Sequence, residues 1–251
     1  MRALILAAGR GLRMQLPEDQ QIPKCLLQFA GKTLLERHLL LLRHVGISEI
    51  VLGLGFRHDL VESELDRLGW RPRPSIVLND RFELGSMLTV HTLAESMTRG
   101  GSVLLMDADV LYDHRIASAL VAGNRSVNRL LIDRDFETGE EPVKVCVRNG
   151  LVVEFRKTVA PDLSYDTVGE SIGFFRYSES GARSLATRIA QHVQTGHVNL
   201  PHEEAIRDQL LERSQPFEVT DVTGAPWIEI DFAEDVARAT RDVLPLLRDV
   251  P

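Results

Sequence analysis

Cysteine is scarce in this 251-residue chain, and it lacks both long apolar runs and a surplus of positive charge. The two cysteines, Cys25 and Cys146, lie far apart without CxxC spacing. That excludes a disulfide framework or a thiolate zinc site and reads as two reduced thiols in a cytoplasmic protein. No apolar stretch approaches the roughly 18–20 residues of a membrane span, and the run Ala3 to Ala8 is shorter than the ~7–15-residue core of a signal peptide. Neither a membrane nor export is expected. Aspartate and glutamate (36) outnumber lysine and arginine (29), giving a formal charge of −7. Nucleic acid and anionic membranes need a basic field, so neither is an expected partner. Repeats and low-complexity stretches are also missing. What remains is a globular composition, 44% hydrophobic and 26% charged, on a chain long enough to bury a core without a disulfide or metal staple.

Short apolar runs alternate with helical periods. Arg2 to Ala7, Glu49 to Gly53, Ser75 to Leu78 and Ser102 to Met106 read as buried strands. Between them, Thr33 to His44, His58 to Leu68 and Ser86 to Met97 place apolar residues at helical spacing. Such alternation predicts βαβ crossovers and a mainly parallel α/β sheet. After about residue 128 the strands at 130–132, 143–147, 151–155 and 172–177 look antiparallel and decorate the first half, with a tight hairpin at Asn149-Gly150. Helices over 180–192 and 202–213, strand-like runs at 217–222 and 227–230 and a final helix from Ala233 complete the pattern. No flexible linker interrupts it, so one continuous domain over 1–251 is expected.

Ligands of an open parallel sheet bind beyond the carboxyl ends of its strands. After the first strand comes Leu6-Ala7-Ala8-Gly9-Arg10-Gly11-Leu12-Arg13-Met14, whose glycines let the backbone approach a phosphate or base while Arg10, Arg13 and Lys24 add positive charge. Two better-known phosphate motifs fail here. GxGxxG would need glycine where Met14 stands, and GxxxxGK before Gly31-Lys32 would need glycine at Leu26. After the fourth strand, Asp107 and Asp109 flank Ala108, and a later strand ends in Trp227-Ile228-Glu229-Ile230-Asp231. Hard oxygen ligands beside a phosphate cradle suit Mg²⁺. Only four of the 29 basic residues are lysines (Lys24, Lys32, Lys144 and Lys157); a lysine kept in so arginine-rich a chain points to a place where a compact ammonium is needed, whereas Lys32 reads as a surface residue.

Together these residues resemble the nucleotidyltransferases that couple a nucleoside triphosphate to a sugar phosphate or phospho-alcohol. The opening signature is present as Leu6 to Met14, then Pro23-Lys24-Cys25-Leu26-Leu27 and Gly31-Lys32-Thr33-Leu34-Leu35-Glu36. Within that group the chain is most similar to the bacterial phosphocholine cytidylyltransferases. The likeness rests on Asn79 with Gly85-Ser86, the Asp107/Asp109 segment, Val143-Lys144-Val145, Phe155-Arg156-Lys157, residues 169–174, His202-Glu203-Glu204-Ala205 and residues 227–231. It implies a Rossmann-like α/β fold: a mixed, mainly parallel sheet flanked by helices, with a small antiparallel extension. Residues 1–128 would form the nucleotide-binding half and 129–251 the acceptor-binding half.

By the same resemblance the cofactor is Mg²⁺, with Asp109 and Asp231 as its ligands, and Asp107 stands as an alternative because the family's usual Gly-Asp reads Asp107-Ala108-Asp109 here. Arg13 and Lys24 would be catalytic, holding the triphosphate. Leu6, Ala7, Ala8, Gly9, Arg10, Gly11, Asn79, Ser86 and Asp107 would bind the nucleotide. Lys144, Lys157, Glu170, Glu203 and Trp227 would bind the acceptor. The expected substrates are CTP and a phosphorylated or phosphonate amine. Such an acceptor is largely dianionic at neutral pH, its second pKa being about 6, and needs no general base. The eight histidines accordingly read as helix-surface residues. Alternatives are a sugar-1-phosphate or inositol-phosphate nucleotidyltransferase, a nucleotide-binding regulatory module without turnover, and a glycosyltransferase using the Asp107/Asp109 pair. Oligomeric state, a dimer included, is not legible.

Overall fold

The structure is a computed structural model that describes residues 1–248 apart from 16, 18, 19 and 138. The first half consists of β1 (Arg2–Ala7), β2 (Gln28–Phe29), β3 (Lys32–Thr33), α1 (Leu34–His44), β4 (Glu49–Leu54), α2 (His58–Leu68), β5 (Ser75–Leu78), α3 (Ser86–Thr92), α4 (Ala94–Thr98), β6 (Val103–Asp107), β7 (Val110–Tyr112) and α5 (His114–Val121). The second half adds β8 (Asn128–Asp133), β9 (Lys144–Arg148), β10 (Leu151–Arg156), β11 (Thr167–Tyr177), α6 (Glu179–Gln194), α7 (Glu203–Glu212), β12 (Phe217–Asp221), β13 (Trp227–Glu229) and α8 (Ala233–Arg238).

Among the described residues, nine strands form one mixed sheet. Its main path runs β10-β9-β11-β6-β1-β4-β5, with β8 on β11 and β12 on β8. β1, β4, β5 and β6 are mutually parallel, as their buried apolar runs predict. Side chains alternate between faces, so Ile5, Leu52 and Leu104 pack beneath α1, α2 and α5, while Leu4, Val51 and Leu105 pack beneath α3, α4, α6 and α7. The result is a sheet between two helical layers.

The second half does more than decorate the first. β11 inserts beside β6 in the same sheet, antiparallel to it, and β12 runs parallel to β8. Asn149 and Gly150 both take positive φ, 51° and 74°, as a two-residue hairpin between β9 and β10 requires. The expected helix over 86–97 is two helices, broken at Leu93. β7 and α5 were not anticipated. α5 starts at Asp113, whose carboxylate accepts from the Arg115 amide.

The far end of α5 is pinned by a buried arginine. Arg176 on β11 donates to the carbonyls of Leu120, Ala122, Asn124 and Val127. Replacing it by methionine orphans those carbonyls. Arg176→Met should therefore lose about 2–4 kcal/mol of stability in urea denaturation at neutral pH, and an unchanged midpoint would contradict that role.

Candidate active site

β1 and β6 are adjacent and parallel, with Leu6 opposite Asp107, so the loops that follow them meet at one edge of the sheet. After β6 the chain bends, and Val110–Tyr112 pairs with Trp227–Glu229 as a two-stranded antiparallel ribbon, Val110 opposite Glu229. The Ile230 amide then donates to the Asp109 carbonyl at 2.9 Å. This ribbon brings Asp109 beside Glu229 and Asp231, more than a hundred residues later. Asp235 in α8 fixes the end of the segment by accepting from the amides of Asp231 and Phe232 at 3.0 and 2.8 Å.

Asp109, Glu229 and Asp231 offer carboxylate oxygens that all lie within 4.8 Å of one another. The set is all oxygen, without cysteine or histidine, and so suits a hard divalent cation. Lys24 Nζ donates to Asp109 at 2.9 Å and to Asp231 at 2.7 Å. Arg13 donates to Asp231 at 2.6 Å and to Glu141 at 2.7 Å. Burial opposes the Lys24 charge, but the two aspartates outweigh it and raise the lysine above its ordinary range. Glu229 is also pushed well above the carboxylate range, by desolvation in the cleft and by the charges of Asp109, Asp231 and Asp107. Gly11 makes the approach of Lys24 possible: its φ is +64°, and a Cβ there would lie 3.1 Å from the lysine's Cγ.

Two cavities flank the cluster. The first, about 640 Å³, is lined by Leu6 to Arg13, Lys24, Ser86, Asp107, Asp109, His202, Glu203 and Glu229, among others. The second, about 450 Å³, presents nine carboxylates and one arginine among the described residues, together with Phe136, Trp227 and Phe232. Glu170 in its wall is pushed up to about 7 by desolvation and by the neighbouring Asp133 charge. Trp227 Nε1 donates to Asp133 at 2.8 Å. Glu229 and Asp231 line this second cavity too, and Glu229 lines both.

Most of the expected residues gather at these two cavities, with four adjustments. Asn79 lines neither: its side chain donates to Thr89 Oγ1 and accepts from the Arg81 amide, bracing the frame beneath the first cavity. Lys144 turns its ammonium onto the carbonyls of Gly139 and Lys157, while Lys157 pairs with Glu141 at 2.8 Å. Both lysines thus shape the rim of the second cavity, and neither points an unpaired ammonium into it. Glu203, expected on the acceptor side, faces the first cavity. Asp107 stands outside the carboxylate trio: it lines the first cavity beside Gly173, at φ +76°, where a Cβ would come within 2.4 Å of its Oδ2.

The structure adds residues the sequence reading left out. Glu229 completes the trio, and its spacing of two from Asp231 was the available signal. Two histidines are core residues rather than surface ones. His38 lies beneath the Asp107–Asp109 turn, with Nε2 3.3 Å from the Ala108 carbonyl and Nδ1 3.2 Å from the Tyr112 hydroxyl, and burial lowers it to about 4. His202 is buried at the floor of the first cavity. Burial disfavours its charge, but Glu203 and Asp107 outweigh that and raise it to about 9.

Fixed cations and a carboxylate trio thus gather between two cavities at the carboxyl edge of an α/β sheet. The chain belongs to the MobA-like NTP transferase domain family, whose model matches residues 3–161. It is 28% identical, over 96% of its length, to the bifunctional IPC transferase and DIPP synthase of Thermococcus kodakarensis, of which it spans half. It is 22% identical to the CTP:phosphoglutamine cytidylyltransferase of Campylobacter jejuni, covering 94% of this chain and 98% of that one. Among solved structures, the fold matches the inositol-1-phosphate CTP transferase from T. maritima with TM-score 0.73 at 20% identity, over 96% and 97% of the two chains. It also matches the CTP:phosphocholine cytidylyltransferase from Streptococcus pneumoniae with TM-score 0.74 at 19% identity, over 95% and 97%.

If the trio holds a divalent cation, Asp109→Asn and Asp231→Asn should each weaken Mn²⁺ binding by at least about 10-fold, as loss of even an outer partner does. Paramagnetic resonance titration of the free ion reads this directly. Wild-type affinity in both variants would remove the trio as a metal site.

Proposed function

We propose that this chain is a Mg²⁺-dependent cytidylyltransferase. It joins CTP to a small phosphorylated amino-alcohol or phosphonate, such as phosphocholine, phosphoethanolamine or 2-aminoethylphosphonate, and releases pyrophosphate. The observation that carries the reading is the trio of Asp109, Glu229 and Asp231, with Lys24 and Arg13 against it, where a cleft lined by the glycine-containing loop after β1 meets an acidic, aromatic one.

Two anions must meet in this reaction, so repulsion rather than nucleophile strength is the obstacle. An acceptor phosphate oxygen forms a bond to the α-phosphorus as the α–β bridging bond breaks, and the electron pair leaves on pyrophosphate. Lys24 and Arg13 hold the triphosphate and stabilise the charge that grows at its α-phosphorus. The backbone of Ala8 to Gly11 binds the nucleotide. A cation held by Asp109, Glu229 and Asp231 would supply further charge neutralisation between the two substrates. In the second cavity Glu170, Asp133 and Trp227 favour an ammonium headgroup, which carboxylates attract and an aromatic face accommodates. A second reading, prompted by the inositol-1-phosphate CTP transferase whose fold this chain shares, places inositol phosphate or a sugar 1-phosphate there.

Pyrophosphate release with CTP, Mg²⁺ and a panel of acceptors tests both. Lys24→Ala and Asp109→Ala should lower turnover on the order of 10²–10³, as loss of one charge-stabilising donor does. Near-normal turnover by both contradicts the mechanism, and no release with any acceptor leaves a nucleotide-binding module. Preference for inositol phosphate over the amines would select the second reading.

The headgroup assignment has a pH signature. Glu170, raised to about 7 by desolvation and Asp133, is neutral below that pH and a carboxylate above it. The kcat/KM ratio of phosphocholine to inositol phosphate should therefore rise between pH 6 and 8, because the ratio cancels the acceptor phosphate's own titration. Glu170→Gln should flatten it, and a wild-type ratio independent of pH would exclude Glu170 as the ammonium's partner.

A further inference from the structure

His202 and Ser86 form a hydrogen-bonded unit on the floor of the first cavity. Ser86 opens α3 and lines the cleft, and His202 immediately precedes α7. The backbone N–H of His202 donates to Ser86 Oγ at 3.0 Å. The ring Nδ1 lies 3.0 Å from the same oxygen and 3.1 Å from Glu203 Oε2. Glu203 Oε2 is buried without a hydrogen-bond partner, and an anion this close to the ring favours the form with a proton on Nδ1, which is then directed at Ser86 Oγ. Ser86 Oγ is then approached by two N–H donors, which occupy its two lone pairs. Its own O–H has no acceptor on His202 and is left to point into the cavity as a donor.

We propose that His202 is a positioning residue for nucleobase selection: it fixes the Ser86 hydroxyl as a hydrogen-bond donor, and that donor selects a ring with an acceptor at N3, cytosine, against one with N3–H, uracil. The proposal rests on the cytidylyl reading and names the device behind it. The surroundings support the required protonation. Asp107 and Glu203 face the ring, and Glu203 is held down to about 2, with His202 as the largest influence opposing its desolvation. The ring therefore keeps its Nδ1 proton throughout the neutral range.

Equilibrium binding of CTP and UTP by titration calorimetry, with Ca²⁺ present, tests this without turnover. Wild type should prefer CTP by at least about 10-fold, the worth of one well-made hydrogen bond set against a donor–donor clash. His202→Phe should lower the CTP:UTP affinity ratio about 10-fold, and Ser86→Ala should do the same. The double variant should do no worse than either, because both act through one hydroxyl. His202→Gln, whose amide can still donate, should retain part of the ratio, which a merely structural role would not produce. Glu203→Gln leaves the imidazole in place but removes the anion that holds its proton. It should lower the ratio in the same direction, and serves if His202→Phe fails to fold. A wild-type ratio in Ser86→Ala, or in His202→Phe or Glu203→Gln, overturns the proposal while leaving the cytidylyl reading intact. Equal affinity of the wild type for CTP and UTP overturns that reading and the proposal with it.

Discussion

One ammonium sits between two carboxylates more than a hundred residues apart in the chain, and much of the architecture serves that contact. Asp109 and Asp231 repel each other when brought this close, and the charges of Lys24 and Arg13 offset that repulsion. The β7–β13 ribbon sets the separation of the carboxylates. Gly11 clears room for the lysine's aliphatic stem, and Asp235 holds the backbone that carries Asp231. Apart from the Asp235 contact these devices are not local: residues near 11, 24, 109 and 231 meet only once the sheet is complete. A site of this kind is assembled by topology, which explains why its carboxylates lie far in the sequence from the opening motif that carries Arg13 and Lys24.

The two cavities divide the electrostatic work. The glycine-containing loop after β1 and the basic side chains Arg10, Arg13 and Lys24 line the first, where an anionic nucleotide would lie. Carboxylates crowd the second, which suits a positively charged headgroup and repels an uncompensated phosphate. An acceptor that is anionic at one end and cationic at the other would be oriented by this gradient, with its phosphate towards Lys24 and its ammonium towards Glu170. The carboxylate trio stands at the boundary, where the two reacting groups would meet.

Legibility in the sequence followed the range of the interactions. The strands β1, β4, β5 and β6 were readable because burial on both faces leaves continuous apolar runs, and the Asn149-Gly150 hairpin because both of its residues tolerate positive φ. The glycine loop with Lys24, and the acids at 107, 109 and 231, could be singled out from their places at strand ends. β7 was not readable: three apolar residues between charged neighbours carry no period, and their partner strand is remote. The break at Leu93 has no glycine or proline to announce it. Asp113, capping α5, did carry a signal, as did the spacing of Glu229 and Asp231. Burial of His38 and His202 had none, because it arises where α1 meets the turn after β6 and where the start of α7 meets Ser86.

The central claim is that early and late aspartates share one cation beside the nucleotide. Anomalous diffraction at the manganese edge, from crystals grown with Mn²⁺ and a non-hydrolysable CTP analogue, tests it most directly. The account predicts a peak in contact with oxygens of both Asp109 and Asp231, with the Lys24 ammonium turned onto the triphosphate. A peak bound elsewhere, with Lys24 still bridging the two aspartates, would contradict it.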